Sequence, residues 1–559
     1  MKRITLTHAR RWLFAGGILI VFTVLLGLDL ANRGLAWRIF WNLTGEEAPF
    51  AQVRGMVEYA GNWIRAQPRL DPHVPVNHAD VPPFGINTFL QQEVELSKRE
   101  QQVQMIAAAG FRMIRQQFPW EDIEISGRGD FTDRRNDVTG DGLIDEISAW
   151  EKYDHIVGLA EQYGLTILAR LDNPPAWTHA DPVVGSFAPP DDLQDFVNYA
   201  VTVAERYQGR IRYYQIWNEP NIYPEWGEQP VSPEGYTELL CRTYQALKAV
   251  DPNLVILSGP LSPTLSLTQR DLNEFIFLER MYAAGAGECF DVMSAQGYGF
   301  NSGPTDRRMR FNHANFARPL FIREIMVRNG DAEKSIWISE AAWNSQPYDP
   351  AIIQNGAFGI VSQEQAARYM PLAYERAMQE WPWIGNISYW FFKHADDSRH
   401  NQAMYYFRMV EPDFTPLPIY DTLRDYITTL VPVLYAGVHQ AEDWAITTAA
   451  AAQLVPADDA QFGQAMQTTS LSFTFYGTGY SLRYRESAAE PWHVIRSEPS
   501  PHQAQTMLTE YPELPAGAQV DSITVFDHSG RNLYPFVGLV AGALLVTGFM
   551  LVDGWRRRV

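Results

Sequence analysis

Between residues 84 and 431, short apolar runs alternate with longer stretches of helical periodicity. Eight runs stand out: 84–87, 111–115, 165–172, 211–217, 254–258, 292–295, 336–339 and 387–391. They are short and mostly lack polar alternation, the pattern of parallel strands buried on both faces. Helical spacing fills the gaps at 93–109, 153–163, 193–207, 236–250, 272–284, 318–329 and 363–379, with Gly110 and Gly164 placed as C-caps. Eight strands alternating with helices predict an α/β chain whose 84–431 segment is a (β/α)8 TIM barrel. A doubly wound sheet is the alternative, but no Gly-rich turn follows the first strand.

The flanks read differently. Helical periodicity stops after 431, and residues 471–483 alternate around Gly477 and Gly479, with a further strand at 522–526. A small C-terminal β-sandwich over 432–530 is expected. Ahead of the barrel, 32–83 is a lead-in. Its apolar spacing (Phe50, Val53, Met56, Val57, Ala60, Trp63, Ile64) predicts one amphipathic helix over 48–66, and the Pro-rich 68–83 an extended linker.

The ends carry membrane signals. Residues 12–28 are uncharged and follow Lys2, Arg3, Arg10 and Arg11. With no convincing small-x-small cleavage site behind it, 12–31 reads as an uncleaved transmembrane anchor, a signal peptide being the alternative, and Trp37-Arg38-Ile39-Phe40-Trp41 as an interfacial aromatic belt. A second uncharged run, 534–552, precedes Arg556, Arg557 and Arg558 in the tail 553–559. The positive-inside rule makes both 1–11 and the tail cytoplasmic. The expected location is the cell membrane, with 32–533 outside it and the lipid bilayer as a partner.

A length of 559 residues suits one barrel-sized domain with a smaller companion. A net charge of −20 argues against nucleic acid as a partner. The chain holds 17 Trp, 26 Tyr and 29 Phe, enough for both a core and flat rings on which a pyranose can pack. Two cysteines, Cys241 and Cys289, exclude a zinc cluster or a disulfide framework. They read as two buried thiols, with a single disulfide as the alternative.

Chemistry gathers at two strand ends. Tyr213-Tyr214-Gln215-Ile216 runs into Trp217-Asn218-Glu219-Pro220, and Ile336-Trp337-Ile338-Ser339 into Glu340. The carboxyl ends of strands four and seven are where a barrel presents catalytic groups. Two carboxyl groups about 5 Å apart are what a retaining glycosidase needs.

On these motifs the 84–430 segment resembles the clan A glycoside hydrolases, with family 39 and family 5 relatives nearest. The resemblance implies Glu219 as acid/base and Glu340 as nucleophile. It implies that Asn218 bonds the sugar 2-hydroxyl, that Arg115 keeps Glu340 ionised, that Tyr298 bonds the nucleophile, and that Trp390 floors the subsite. Gln296 stands where many members carry His. So does the pair Asp172-Asn173 at strand three, and these positions bear on which sugar binds. Trp120, Trp177, Tyr223, Trp226 and Trp343 follow strands and are either sugar platforms or loop packing; Trp177 and Trp343 are taken as candidates for substrate binding. The stretch from Phe473 to Leu482 is similar to jelly-roll carbohydrate-binding modules.

No cofactor is required by this reading. One loop, Asp137-Val138-Thr139-Gly140-Asp141-Gly142-Leu143-Ile144-Asp145, resembles the start of an EF-hand or dockerin calcium loop, with Asp137, Thr139, Asp141 and Asp145 as ligands. Ser148 stands where the bidentate Glu belongs, so a simple Gly/Asp turn is the alternative. The expected function is hydrolysis of O-glycosidic bonds in an extracellular poly- or oligosaccharide by double displacement. A membrane-anchored transglycosylase and an inactive carbohydrate-binding protein are the alternatives.

Overall fold

The eight apolar runs become eight parallel strands in the computed structural model, which describes residues 6–137 and 142–529. They are β1 (Phe84–Thr88), β2 (Met113–Pro119), β3 (Thr166–Asp172), β4 (Tyr213–Ile216), β5 (Val255–Ser258), β6 (Met293–Gln296), β7 (Ile336–Ala341) and β8 (Ile384–Tyr389). The sheet runs in the order β5-β4-β3-β2-β1-β8-β7-β6. Parallel bridges from Leu257 to Val292 and from Leu261 to Ala295 join its two edges into a barrel. Helices lie on the outside, among them Leu193–Arg206, Pro233–Val250 and Gln363–Glu380. Starts are capped by side chains: Asp192, Ser232 and, for the helix Glu274–Ala283, Asn273 each accept a backbone N–H, and Ser362 forms a full capping box with Gln365.

The barrel interior is layered. Met113, Leu168, Tyr213, Val255 and Trp337, near the strand starts, form an apolar plug. Two residues further along the same strands, on the same face, stand Arg115, Arg170 and Gln215, all buried. The lower half of the barrel is therefore dry packing, and a polar layer begins where the strands approach their carboxyl ends.

The sandwich is present. Five antiparallel strands, β9 (Gly437–Gln440), β12 (Gln464–Gln467), β14 (Gly479–Arg485), β15 (His493–Ser497) and β17 (Gln519–Phe526), join β11 (Gln453–Pro456) in one sheet. The other sheet is β10 (Ile446–Thr448), β13 (Leu471–Gly477) and β16 (Gln505–Tyr511). Phe473, Phe475, Leu482, Ile523 and Val525 fill the space between them. This domain docks beneath the barrel, at the end where the strands start. Trp444 donates its backbone N–H to the Asp80 carbonyl at 3.0 Å and sets its ring edge-on to Phe84 at 5.9 Å. The stretch similar to carbohydrate-binding modules thus belongs to a domain docked at the end opposite the cleft.

Several expectations are corrected. Cys241 and Cys289 are not two thiols but a disulfide, with Cα atoms 4.7 Å apart, tying helix Pro233–Val250 to the start of β6. The Trp37 and Trp41 rings stack on each other at 6.0 Å, Trp41 meets Tyr369, and Trp37 Nε1 donates to the Glu47 carbonyl at 2.9 Å. Trp41 thus ties the lead-in to the barrel, while Trp37 is held within the lead-in.

The transmembrane pair is not supported by the described residues. Leu6–Ala31 is helical, but among the described residues no single helix is long and apolar enough to cross a membrane. Gly16–Ala31 and Leu35–Thr44 pass only together, bent by 72°. The bend has a cause: the Asp29 carboxylate accepts the Trp37 N–H at 3.0 Å and folds the second helix back. The run 534–552 lies outside the described residues.

Candidate active site

At the carboxyl end of β4 the backbone leaves the regular pleat. Trp217 takes φ 73° and Glu219 φ 42°, left-handed values that cost non-glycine residues about 1–3 kcal/mol each. Tyr213 and Gln215 point into the barrel, so strict alternation would send Trp217 inward too. Instead Trp217 packs outward against Phe196 and Trp226, and Asn218 and Glu219 are left over the mouth. The Trp217 Nε1 donates to the Glu225 carbonyl at 2.8 Å, which holds the loop down.

On β7 the device is a bulge. Ala295 pairs with Ile338 and Gln296 with Glu340, so Ser339 is the extra residue. Trp337 faces the interior and Ile338 the outer core; without the bulge Glu340 would follow Ile338 outward. The inserted residue turns the Glu340 carboxylate over the polar layer.

The two glutamates then meet through one amide. Gln296 Nε2 donates to Glu219 Oε1 at 2.8 Å and to Glu340 Oε2 at 2.8 Å. These two oxygens therefore lie no further apart than twice that length. Tyr298 Oη donates to the same Glu340 Oε2 at 2.8 Å. Arg115 Nη1 donates to Glu340 Oε1 at 2.9 Å, and the guanidinium also bonds Asn87 at 2.7 Å, Gln215 at 2.8 Å and Asn218 at 2.8 Å. The guanidinium is thus held by residues of several strands, and the Arg115–Glu340 pair is almost fully buried.

The electrostatics split the two carboxyls. Burial first, and the Glu340 charge second, push the Glu219 carboxyl up to about 7, while the bonds from Gln296 and Ser262 and the charge of Arg170 oppose the rise. Burial and Glu340 also hold the Tyr298 phenol well above its ordinary value, so it stays a donor. Glu219 is equipped to carry a proton, while Glu340 accepts from three donors, Arg115, Gln296 and Tyr298.

Strand three supplies further charge. Arg170 binds Asp172 through Nε, and Gln117 Nε2 bonds Asp172 at 2.9 Å and Asn173 at 3.2 Å. Asn173 takes φ 53°. Trp390 lies just after β8, with Phe89 edge-on to its ring at 5.6 Å, and belongs to the barrel-top aromatic cluster.

Among the loop tryptophans the outcome is mostly packing. Trp343 is 1% exposed, bonds the Ser302 carbonyl at 2.7 Å, and lies so close over Gly299 that a Cβ there would sit 1.9 Å from its ring. It has no face for a sugar, which corrects its place as a binding residue. Trp120 and Trp226 are likewise buried. Trp177 is half-buried, its Nε1 on the Glu124 carbonyl at 2.8 Å, and Tyr223 is exposed under the Arg270 guanidinium at 3.6 Å.

Sequence reasoning missed Asn87, Gln215, Arg170 and Glu225. Glu225 is half-buried, and its carboxyl is pushed up to about 8, first by burial and then by Glu219. The signal for Arg170 and Gln215 was a polar residue inside an otherwise apolar strand.

The calcium loop is only partly within view: Thr139 and Asp141 lie outside the described residues. Asp137 accepts the Gly142 N–H at 2.7 Å, as in a tight Asp/Gly turn. Among the described residues no group of three His, Cys, Asp or Glu could hold a metal ion.

No protein-family model matches the chain, and no curated protein matches it. Similar folds occur among solved glycoside hydrolases of families 39 and 5. One is a family 39 enzyme from the gut symbiont Bacteroides cellulosilyticus, at 16% identity and a TM-score of 0.45 over 81% of this chain and 83% of the other. A second family 39 enzyme, from Xanthomonas axonopodis, shares 14% identity at a TM-score of 0.42, over 83% of this chain and 99% of its own. A family 5 enzyme from Streptomyces cattleya, solved with GlcNAc, shares 17% at a TM-score of 0.46, over 64% and 83%. At these identities and TM-scores the likenesses carry no argument about function; the site does.

Proposed function

We propose that the chain is a retaining glycoside hydrolase acting by double displacement, with Glu219 as acid/base and Glu340 as nucleophile. One observation carries the reading: a single Gln296 amide spans both carboxyls, at 2.8 Å to each. That spacing suits direct attack on the anomeric carbon and leaves too little room for a water between the second carboxylate and the sugar, as inversion requires. Glu219, protonated below about pH 7, gives its proton to the leaving oxygen while ionised Glu340 attacks. When Glu340 becomes an ester its charge is gone, the Glu219 carboxyl weakens its hold on a proton, and Glu219 becomes the base that activates water. Arg115 and Tyr298 steady Glu340 until it attacks, and Asn218, fixed by Arg115, faces the sugar beside it.

The proposed substrate is a poly- or oligosaccharide outside the cell, with the chain held at the membrane through its apolar N-terminal helix and the run 534–552. The Cys241–Cys289 disulfide supports an oxidising compartment. The test is chemical rescue. Glu340→Ala, inactive on aryl glycosides, is expected to regain turnover with azide and to give the glycosyl azide of inverted configuration. Undiminished hydrolysis by the variant, or a product of retained configuration, sinks the assignment.

A further inference from the structure

The lead-in helix Pro49–Ala60 is mounted with its apolar side outward. Its inward face is polar or small. Gln52 Nε2 bonds the Trp37 carbonyl at 3.1 Å, Gly55 lies against Thr44, and Glu58 pairs with the buried Arg308 at 2.9 Å. In the turn that follows, Asn62 donates to the Arg307 carbonyl at 2.7 Å. Arg308 also binds Asp306 and Glu46, so this face is locked by a buried ionic cluster to the loop after β6. The outward face holds Phe50, Val53 and Val57, continued by Trp63 and Ile64; Phe50, Trp63 and Ile64 are 93%, 72% and 90% exposed. An amphipathic helix that buries its polar side and presents its apolar side has another apolar phase to meet.

Two further observations say which phase. This surface is separated along the chain by the helix Leu35–Thr44 from the helix Leu6–Ala31, whose apolar side chains from Ile18 to Phe22, with Val24, Leu25 and Leu28, are likewise exposed. Charge agrees: residues 33–69 hold five arginines against three glutamates, in a chain whose net charge is −20. Arg38 and Arg54 are exposed, Glu46 and Glu58 are spent on the buried Arg308, Glu47 is shared between Arg33 and Arg368, and Arg69 pairs with Asp71. Exposed Arg38 and Arg54 beside apolar and aromatic side chains match an anionic lipid surface.

We infer that the outward face of Pro49–Ala60 and the turn after it lies in the surface of an anionic bilayer. The ionic cluster at Arg308 then fixes the barrel rigidly to that surface through the loop after β6, so the N-terminal helix is not a loose tether. The inference rests on the membrane location proposed above and is independent of the catalytic assignment.

The test uses the full chain on vesicles of mixed phosphatidylglycerol and phosphatidylcholine. Because Cys241 and Cys289 are joined, a third cysteine can be labelled selectively with an environment-sensitive dye. The site variants are Val57→Cys and, on the opposite flank in helix Leu193–Arg206, Asn198→Cys. The dye at 57 is expected to shift to the blue and to be quenched by nitroxide lipids, the dye at 198 to do neither, and Arg54→Glu to reduce the shift at 57. A chain that floats with the vesicles while the dye at 57 stays in water overturns the inference and leaves membrane anchorage standing. A chain that does not float overturns both. A shift at 57 that needs no vesicles and grows with protein concentration assigns the face to a second copy and also overturns it.

Discussion

Replacing Glu340 by Gln removes one charge and keeps the shape, so it isolates what that charge does to its neighbour. The Glu219 carboxyl stands at about 7, raised first by burial and then by Glu340. The Gln296 amide sets the span between the carboxyls, two bonds of 2.8 Å meeting at one nitrogen. Two unit charges roughly 5.6 Å apart, at an effective dielectric of about 20, repel by about 3 kcal/mol. That energy corresponds to about 2 pKa units. Burial, the larger cause, is untouched, so in Glu340→Gln the Glu219 carboxyl is expected to fall by about 1–2 units without reaching the value of a free glutamate. The assay is a carbon-13 NMR titration of the carboxyl groups, with Glu219→Gln identifying the resonance. On the mechanism proposed above, the same fall turns Glu219 from acid to base once Glu340 is esterified. A Glu219 that still titrates near 7 in the variant would refute the reasoning, because the two groups would then be uncoupled.

Two other predictions follow from single side chains. The bond from Gln296 lowers the Glu219 carboxyl, so Gln296→Leu is expected to move the alkaline limb of the kcat/KM profile upward, together with a loss of kcat; a limb that stays put counts against the shared amide. Cys241 and Cys289 close a loop 48 residues long, worth about 4 kcal/mol of chain entropy, so the double Ser variant is expected to lose that much in denaturant unfolding, and an unchanged midpoint would show that the bridge constrains nothing.

The barrel was legible because a buried parallel strand has a composition of its own. The runs at Val255–Ser258 and Ile336–Ala341 contain little but apolar residues, and no other element of that length needs them. The meeting of Glu219 and Glu340 over the barrel mouth was legible because a lone carboxyl at the end of such a run has no structural reason to be there. What holds them in place was not. The extra Ser339 that turns Glu340 inward is an irregularity of pairing, and pairing partners are distant in sequence. The roles of Asn87 and Gln215 depend on Arg115, separated from Gln215 by 100 residues. Trp343 misled for the opposite reason: its position after a strand fits a sugar platform, and only the close approach of Gly299 reveals that the ring is covered.

The lead-in helix shows a limit of another kind. Its apolar spacing holds in the structure: Phe50, Val53 and Val57 do share one exposed face. Helical periodicity in a sequence states that a helix has an apolar side; it does not state whether protein or lipid lies against it. What separates the two cases is the opposite face. On a helix that packs on a core, the polar side is free in water and can be almost any set of charged residues. Here Gln52, Glu58 and Asn62 each have a specific protein partner, and Gly55 has no side chain because Thr44 is in the way. Polar residues that are individually matched to protein, opposite apolar residues that are matched to nothing, define a helix turned inside out. The barrel's polar layer follows the same logic: Arg115, Arg170 and Gln215 are polar positions with assigned partners inside an apolar frame. In both places the informative residues are those whose polarity contradicts the pattern around them.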